Sequence, residues 1–273
     1  MAAPSVLRGE IGASALYEAE VSQNLRQVPV VHHCLVLVCE GAKEVLAADG
    51  ARARLTAGDV VVLHAGGRPT IGNRPDPKTS HYAALVLIPG PRAFAAFRQL
   101  YPALAADGAV SERPWHSRPG DVALAAAIRH AILGLEDGAV SERMALHRCV
   151  EVLAVLAERG VHLSSGRDDD IVATVQALVA ARPHLPWAAA DVARSLGVSE
   201  PTLRRRLAAE DTSFRQIVAE MRLGHGLHLL QTSRMPVIEV AAACGYDSPS
   251  RFAARFRDRF GMTPSELRGP RGG

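Results

Sequence analysis

Three consecutive arginines, Arg204, Arg205 and Arg206, stand in the stretch LGVSEPTLRRRLAAED at 196–211. A guanidinium is planar, permanently charged and carries its N–H donors in a fork. It can pair with O6 and N7 of a guanine in the major groove, or clamp a phosphate. A basic run on a helix is just as readily a solvated face, so its neighbours decide. Ser199 is placed to cap a helix, and Pro201 falls in the first turn, where a missing N–H costs little. Leu203 and Leu207, four residues apart, make the buried face. Thr202, Arg204, Arg205 and Arg206 are left to fan across the outer faces.

Most of that punctuation returns in PVIEVAAACGYDSPSRFAARFRDRFG at 236–261. Val192-Ala193 matches Val240-Ala241, Gly197 matches Gly245 and Pro201 matches Pro249, each 48 residues apart. Leu203 and Leu207 match Phe252 and Phe256, 49 apart. The chain thus writes a helix-turn-helix twice, with Ala193 and Ala241 small enough to let each helix pair cross closely. Outward positions in the second unit are Ser250, Arg251, Ala254 and Arg255, with Arg257 and Arg259 further along. In that setting the merely solvated reading of the arginine run loses most of its weight.

Between the units, SFRQIVAEMRLGHGLHLLQTS (213–233) puts Phe214, Ile217, Val218 and Met221 on one side of a helix. Leu223, Leu227 and Leu230 fall roughly opposite. A helix that changes its buried face should be clamped between two small bodies. Gly224 and Gly226 each cost about 1 kcal/mol in a helix interior, which points to close packing at both. MTPSELR reads as a capping box, with Thr263 as N-cap, Pro264 next and Glu266 at the third position. Two units spaced by a stiff helix could enter successive major-groove segments, about 34 Å apart on one face of a duplex.

Histidines raise a second chemistry. His32-His33, His64 and His81 lie in a β-rich half. Adjacent histidines on a strand point to opposite faces, and no His-x-His with a following Glu is present. Structural histidines are therefore the expectation, with neither metal nor cofactor. Tyr17, His33, Arg54, His64, His81 and Tyr82 are the candidates for an effector pocket. Cys34, Cys39, Cys149 and Cys244 fit no C-x-x-C pair or regular framework and read as reduced cytoplasmic thiols.

The elements that must position these residues fall into two halves, as the length of 273 residues suggests. From Leu16 to about Ile88, short β-rich runs such as HCLVLVC (33–39), RARLTAGDVVVLHAGG (52–67) and SHYAALVLIPG (80–90) predict an antiparallel sandwich or barrel. LTAGDVVVL reads as a hairpin turning at Gly58-Asp59, with Val60 and Val62 on one face. Helices follow over 92–106, 121–136 and 141–160. The last carries the stripe Leu146, Cys149, Val150, Leu153, Leu156, which either packs on its own barrel or forms a dimer seam. DGAVSER occurs at 107–113 and again at 137–143, and reuse of a helix-stop, helix-start sequence is favoured over a tandem duplication. Residues 161–170, VHLSSGRDDD, read as a linker, and 171–268 as all helix.

Charge divides the same way. The net +3 splits into −2 over residues 1–170 and +5 over 171–273, where every basic residue is arginine. That suits a polyanionic partner. No stretch approaches the roughly 20 apolar residues that span a bilayer, and the start shows no secretion signal, so no membrane partner is expected.

The stretch MRLGHGLHLLQTSRMPVIEVAAACGYDSPSRFAARFRDRFGMTPSELR (221–268) closely resembles the DNA-binding domain of AraC/XylS-family transcription regulators. Shared positions include Arg222, Leu223, Leu229, Leu230, Pro236, Val240-Ala241, Gly245-Tyr246, Phe252, Phe256, Gly261, Pro264 and Arg268, and the match extends back to about residue 171. The resemblance implies domains at 1–160 (a cupin-like sensor and dimerisation domain with its helices) and 171–270, the helix-turn-helix units lying near 190–211 and 237–260. It implies base-reading roles for Pro201, Arg204 and Arg205, and for Ser250, Arg251 and Ala254. Ala254 stands where many relatives carry a polar or basic side chain, Leu267 where an aromatic is common, and Gly226 where alanine is usual. The second unit should then read fewer base edges. LTAGDVVVL is similar to the turn of the cupin-like barrel many such regulators carry.

The function expected is a cytoplasmic, sequence-specific regulator of double-stranded promoter DNA, not an enzyme. RNA polymerase, a small-molecule effector and a second copy of the chain are its expected partners. The alternative is a DNA-tethered cupin-type metalloenzyme.

Overall fold

A computed structural model describes residues 6–8, 10–106, 115–164 and 170–269. The chain divides into two compact units. One comprises residues 1–165 with the short pieces 231–233 and 267–273, the other residues 166–230 and 234–266.

The first unit opens with strands β1 (Val6–Arg8), β2 (Gly12–Ala19), β3 (Gln23–Leu25), β4 (Cys34–Glu40), β5 (Ala42–Leu46), β6 (Arg52–Thr56), β7 (Val60–Leu63), β8 (Thr70–Arg74) and β9 (Tyr82–Pro89). Helices α1 (Pro91–Leu100) and α2 (Pro102–Ala106), strand β10 (Trp115–Arg118), and helices α3 (Val122–Glu136) and α4 (Glu142–Glu158) complete it. The antiparallel β architecture is the expected one, but its strands form two sheets rather than one closed barrel. One sheet runs β1-β2-β9-β4-β7-β10 and the other β3-β8-β5-β6.

Period-two alternation assigns the faces of the larger sheet. Leu35, Leu37, Val60, Val62 and Leu87 point into a core shared with α1, α3 and α4. Val36, Val38, Val61, Leu63 and Val86 point the other way, onto Val45, Leu55 and Ile71 of the smaller sheet. Both faces of the central strands are buried, which is why they read as near-continuous Val/Leu runs. The stripe on α4 packs on this unit's own core: Cys149, Val150, Leu153 and Leu156 are all buried there. The dimer seam once open to that stripe is therefore not needed to cover it.

The hairpin expected in LTAGDVVVL is not one. Gly58 does turn the chain at φ +93°, closed by Asp59 N–H to Thr56 O and by Asp59 Oδ2 accepting from Thr56 N–H. Yet β6 pairs with β5 and β7 with β4 and β10. The turn carries the chain from one sheet to the other, because ladder partners are chosen by long-range register rather than by the local turn. The second DGAVSER copy does stop and start helices: Asp137 ends α3, and the Ser141 hydroxyl accepts from Met144 N–H to open α4. The first copy lies outside the described residues, as does 165–169 of the linker; Val161 is still core.

The second unit is helical: α5 (Ile171–Ala181), α6 (Ala189–Ser195), α7 (Glu200–Ala209), α8 (Phe214–Thr232), α9 (Val237–Ala243), α10 (Pro249–Phe260) and α11 (Pro264–Arg268). Along α8 the buried residues change sides as expected, Ile217 and Met221 first, then Leu223, Leu227 and Leu230. The two α8 glycines part company. A Cβ on Gly226 would lie 2.8 Å from two ring atoms of Phe252 and 3.2 Å from Cys244 Sγ, so the helix packs closely there. Around Gly224 nothing lies within 4 Å of such an atom, and close packing does not explain it.

Candidate nucleic-acid interface

Each helix pair is built the same way from its sequence. Val192 and Ala193 on α6, and Val240 and Ala241 on α9, are buried at 0–1% exposure, where small side chains let the following helix approach. Gly197 (φ +67°) and Gly245 (φ +73°) make the left-handed turns that end α6 and α9, a conformation that glycine adopts without strain. Serine then caps each second helix: Ser199 Oγ accepts from Thr202 N–H and Ser248 Oγ from Arg251 N–H, with proline in the first turn of both. Arg222 of α8 ties the first pair's approach to the second, donating Nε to Pro183 O and Nη2 to Leu185 O while lying beside Gly245.

Burial sorts the faces of the two second helices. Leu203 and Leu207 on α7, and Phe252, Phe256 and Phe260 on α10, are fully buried. On α7 the residues Pro201, Arg204, Arg205 and Arg206 are exposed and Thr202 is half-buried, its hydroxyl 2.8 Å from Ser199 Oγ. On α10, Arg251, Ala254, Arg255 and Arg257 are exposed, and Ser250 is exposed with its hydroxyl 2.8 Å from Ser248 Oγ. Arg259, expected to point outward too, does not. Its side chain is 16% exposed, lies 3.8 Å from Glu220 of α8 and caps the Phe260 ring at 5.6 Å. Each outer face is therefore a cationic strip backed by an apolar one, the arrangement a helix needs to sit on phosphates and base edges. The capping box that opens α11 forms as read, with Thr263 N–H donating to Glu266 Oε2 and Glu266 N–H to Thr263 Oγ1.

One partner was not foreseen. Glu200, the first residue of α7, accepts from Arg204 Nε at 2.9 Å and from Nη2 at 2.5 Å. The i,i+4 spacing of Glu before Arg is the available signal, since that order suits both side-chain reach and helix dipole.

The six effector-pocket candidates separate into groups. His33 and His64 are buried with ring centroids 5.4 Å apart, and His64 Nε2 lies 2.7 Å from His116 Nδ1. Burial first, then the neighbouring His33 and His116, lowers His64 to about 4; burial likewise lowers His33. Tyr17 and Tyr82 face the space between the sheets, and burial pushes both phenols up. Arg54 is 64% exposed and paired to Glu44, while His81 is bridged at the surface to Glu18 and Glu40, so neither joins the buried groups.

Lys43 was missed. It is 3% exposed, donates to Asn73 Oδ1 at 2.8 Å and lies 3.3 Å from Tyr82 Oη, and burial lowers it to about 8. Its place two residues before the inward Val45 was the clue. A cavity of about 80 Å³ lies elsewhere, among Phe94, Phe97, Leu153, Ala157 and Val161, and touches none of the six.

Comparison with known proteins bears on the helical unit most directly. A family described as "Helix-turn-helix domain" matches residues 192–269, from within α6 to the end of α11. The urease operon transcriptional activator of Escherichia coli is 36% identical over 91 residues, 33% of this chain and 31% of that one. The C-terminal helical unit carries a helix-turn-helix domain over residues 192–269.

Two further relatives match parts of this chain. The transcriptional regulator SirC of Salmonella typhimurium is 41% identical over 78 residues, 29% of this chain and 26% of that protein. The regulator YdeO of Escherichia coli is 31% identical over 128 residues, 45% and 47% of the two chains. The chain thus spans less than half of the length of each of these relatives. The fold as a whole is similar to that of ToxT from Vibrio cholerae, with a TM-score of 0.68 over 94% of this chain and 97% of that one at 12% identity. A ToxT structure with unsaturated fatty acid bound gives 0.66 at 14% identity over 97% and 95%. At such identity the likeness concerns fold alone.

Proposed function

We propose that this chain is a sequence-specific DNA-binding transcription regulator. In this reading α7 and α10 enter successive major-groove segments of promoter DNA on one face of the duplex. The observation that carries it is the doubled helix pair, in which apolar inner faces are buried and arginines hold the outer ones. Arg204 and Arg205 read bases in the first unit. Arg251 reads in the second, Ala254 offers a methyl contact to thymine, and Arg206, Arg255 and Arg257 bind phosphates, with Pro201, Thr202 and Ser250 shaping the two entry turns.

The first unit takes a small-molecule effector or a partner protein. What supports this is its fold likeness to ToxT, a structure of which holds an unsaturated fatty acid, together with the buried Lys43 and Tyr82 and the partly buried Tyr17 between the sheets. His33 and His64 serve the same unit as neutral buried groups, Arg54 as a surface ion pair with Glu44, and His81 beside Glu18 and Glu40. An effector acts only if it binds two arrangements of the protein with different affinity. RNA polymerase, self-association and a cytoplasmic location belong to this reading, and catalysis does not. Footprinting of the purified protein on a selected duplex tests it. The expected result is protection of two segments one helical turn apart, and protection of one segment, or none, overturns it.

A further inference from the structure

Single donors distinguish the arginines of α7, a difference that bears on the DNA-binding role just proposed and rests on it. Arginine has two donor edges: Nε with Nη2 along the side, and Nη1 with Nη2 at the end. In Arg204 the side edge is spent on one oxygen of Glu200, at 2.9 Å from Nε and 2.5 Å from Nη2. The end edge stays open on an arginine side chain that is 70% exposed. Two parallel donors at that edge match guanine O6 and N7, and a guanidinium held in one plane loses less freedom on pairing than a loose one. Arg205 and Arg206 form no ion pair among the described residues. The same helix therefore carries one braced arginine and two unbraced ones.

We propose that Glu200 is a specificity-determining positioning residue of the first helix-turn-helix unit, bracing Arg204 so that only its end edge is free to read guanine. Charge strengthens the effect. Paired with Glu200, Arg204 is nearly neutral toward the phosphate backbone and contributes little to sequence-independent binding, so its energy is reserved for the base. The second oxygen of Glu200 accepts no bond from Arg204 and is chemically suited to a cytosine N4 amine beside that guanine.

The test selects bound duplexes from a randomised pool with the full-length protein, then with Glu200→Ala, Glu200→Gln, Arg204→Ala and the double variant, each first shown to melt as the parent does. The parent should show a strong guanine preference at one position. Glu200→Ala should weaken that preference by roughly tenfold, while binding to random duplex tightens and the log–log salt slope steepens by about one as Arg204 turns to phosphate. Glu200→Gln, which keeps an acceptor oxygen but no charge, should lose less of the preference. In the Arg204→Ala background, Glu200→Ala should change the guanine preference no further. An unchanged preference in Glu200→Ala, or an equal loss with and without Arg204, overturns the bracing role while leaving the regulator reading intact. A parent with no base preference at all would overturn both.

Discussion

Gly224 and Gly226 sit two residues apart on α8, and their replacement by alanine should move stability in opposite directions. Both are helical, so each exchange removes the backbone freedom of glycine from the unfolded chain and gains up to about 1 kcal/mol. At Gly224 nothing stands within 4 Å of the added methyl, and that gain should be realised in full. At Gly226 the methyl would lie 2.8 Å from Phe252 Cε2 and Cζ, on a ring that is fully buried against Phe256 and Tyr246. A carbon–carbon contact needs about 3.5–4.0 Å. The ring must move by nearly an ångström inside a close-packed core, a displacement that costs about 1–3 kcal/mol. Subtracting the propensity gain leaves Gly226→Ala destabilised by up to about 2 kcal/mol. Urea unfolding of each variant, followed by circular dichroism, reads both signs. Because Phe252 anchors α10, Gly226→Ala should also weaken contacts at the second helix pair while those of α7 are kept. Equal stabilisation by both alanines would show that α8 does not approach Phe252 as described, and would undo the packing that holds α10.

Three further outcomes follow from the same contacts. His64 is neutral in the fold at a value lowered to about 4, against about 6.5 unfolded, so the unfolded chain binds the extra proton between those limits. Its contribution is complete above pH 6.5 and falls as pH drops toward 4, by at most about 3 kcal/mol; a chemical-denaturation series over pH 4–7 should show that slope, flattened in His64→Gln. Arg222→Ala leaves Pro183 O and Leu185 O without their charged donor and should cost about 2–3 kcal/mol, read as a lowered melting temperature. Arg205→Ala should cost about 1–3 kcal/mol of duplex affinity with relaxed preference at one base, measured by fluorescence anisotropy across single-base variants of the site; a uniform loss over all sequences would assign Arg205 to phosphate instead.

Local order made the helical unit readable from its residues. Caps, first-turn prolines and apolar pairs four apart lie within one or two turns of each other, so Leu203/Leu207 and Phe252/Phe256 declared both second helices and, by exclusion, their outer faces. The Glu200–Arg204 pair is equally local, marked only by the order of Glu four residues before Arg. What failed was non-local. The turn at Gly58-Asp59 was seen, but Arg52–Thr56 turns back onto Ala42–Leu46, and the ladders that Val60–Leu63 joins lie on strands 20–60 residues away. Two glycines of one helix look alike in sequence, and only Phe252, 26 residues on, separates them. Arg54, His64 and His81 shared a plausible chemistry, yet the fold sends Arg54 and His81 to surface carboxylates and His64 inward.

The central assertion is that two rigidly spaced helices probe the duplex at separate places. Guanine-N7 methylation interference on one selected site, run with the parent, Arg205→Ala and Arg251→Ala, addresses it most directly. Two interfering clusters about one helical turn apart are predicted, Arg205→Ala weakening one and Arg251→Ala weakening the other. A single cluster, or loss of the same cluster in both variants, would contradict the account.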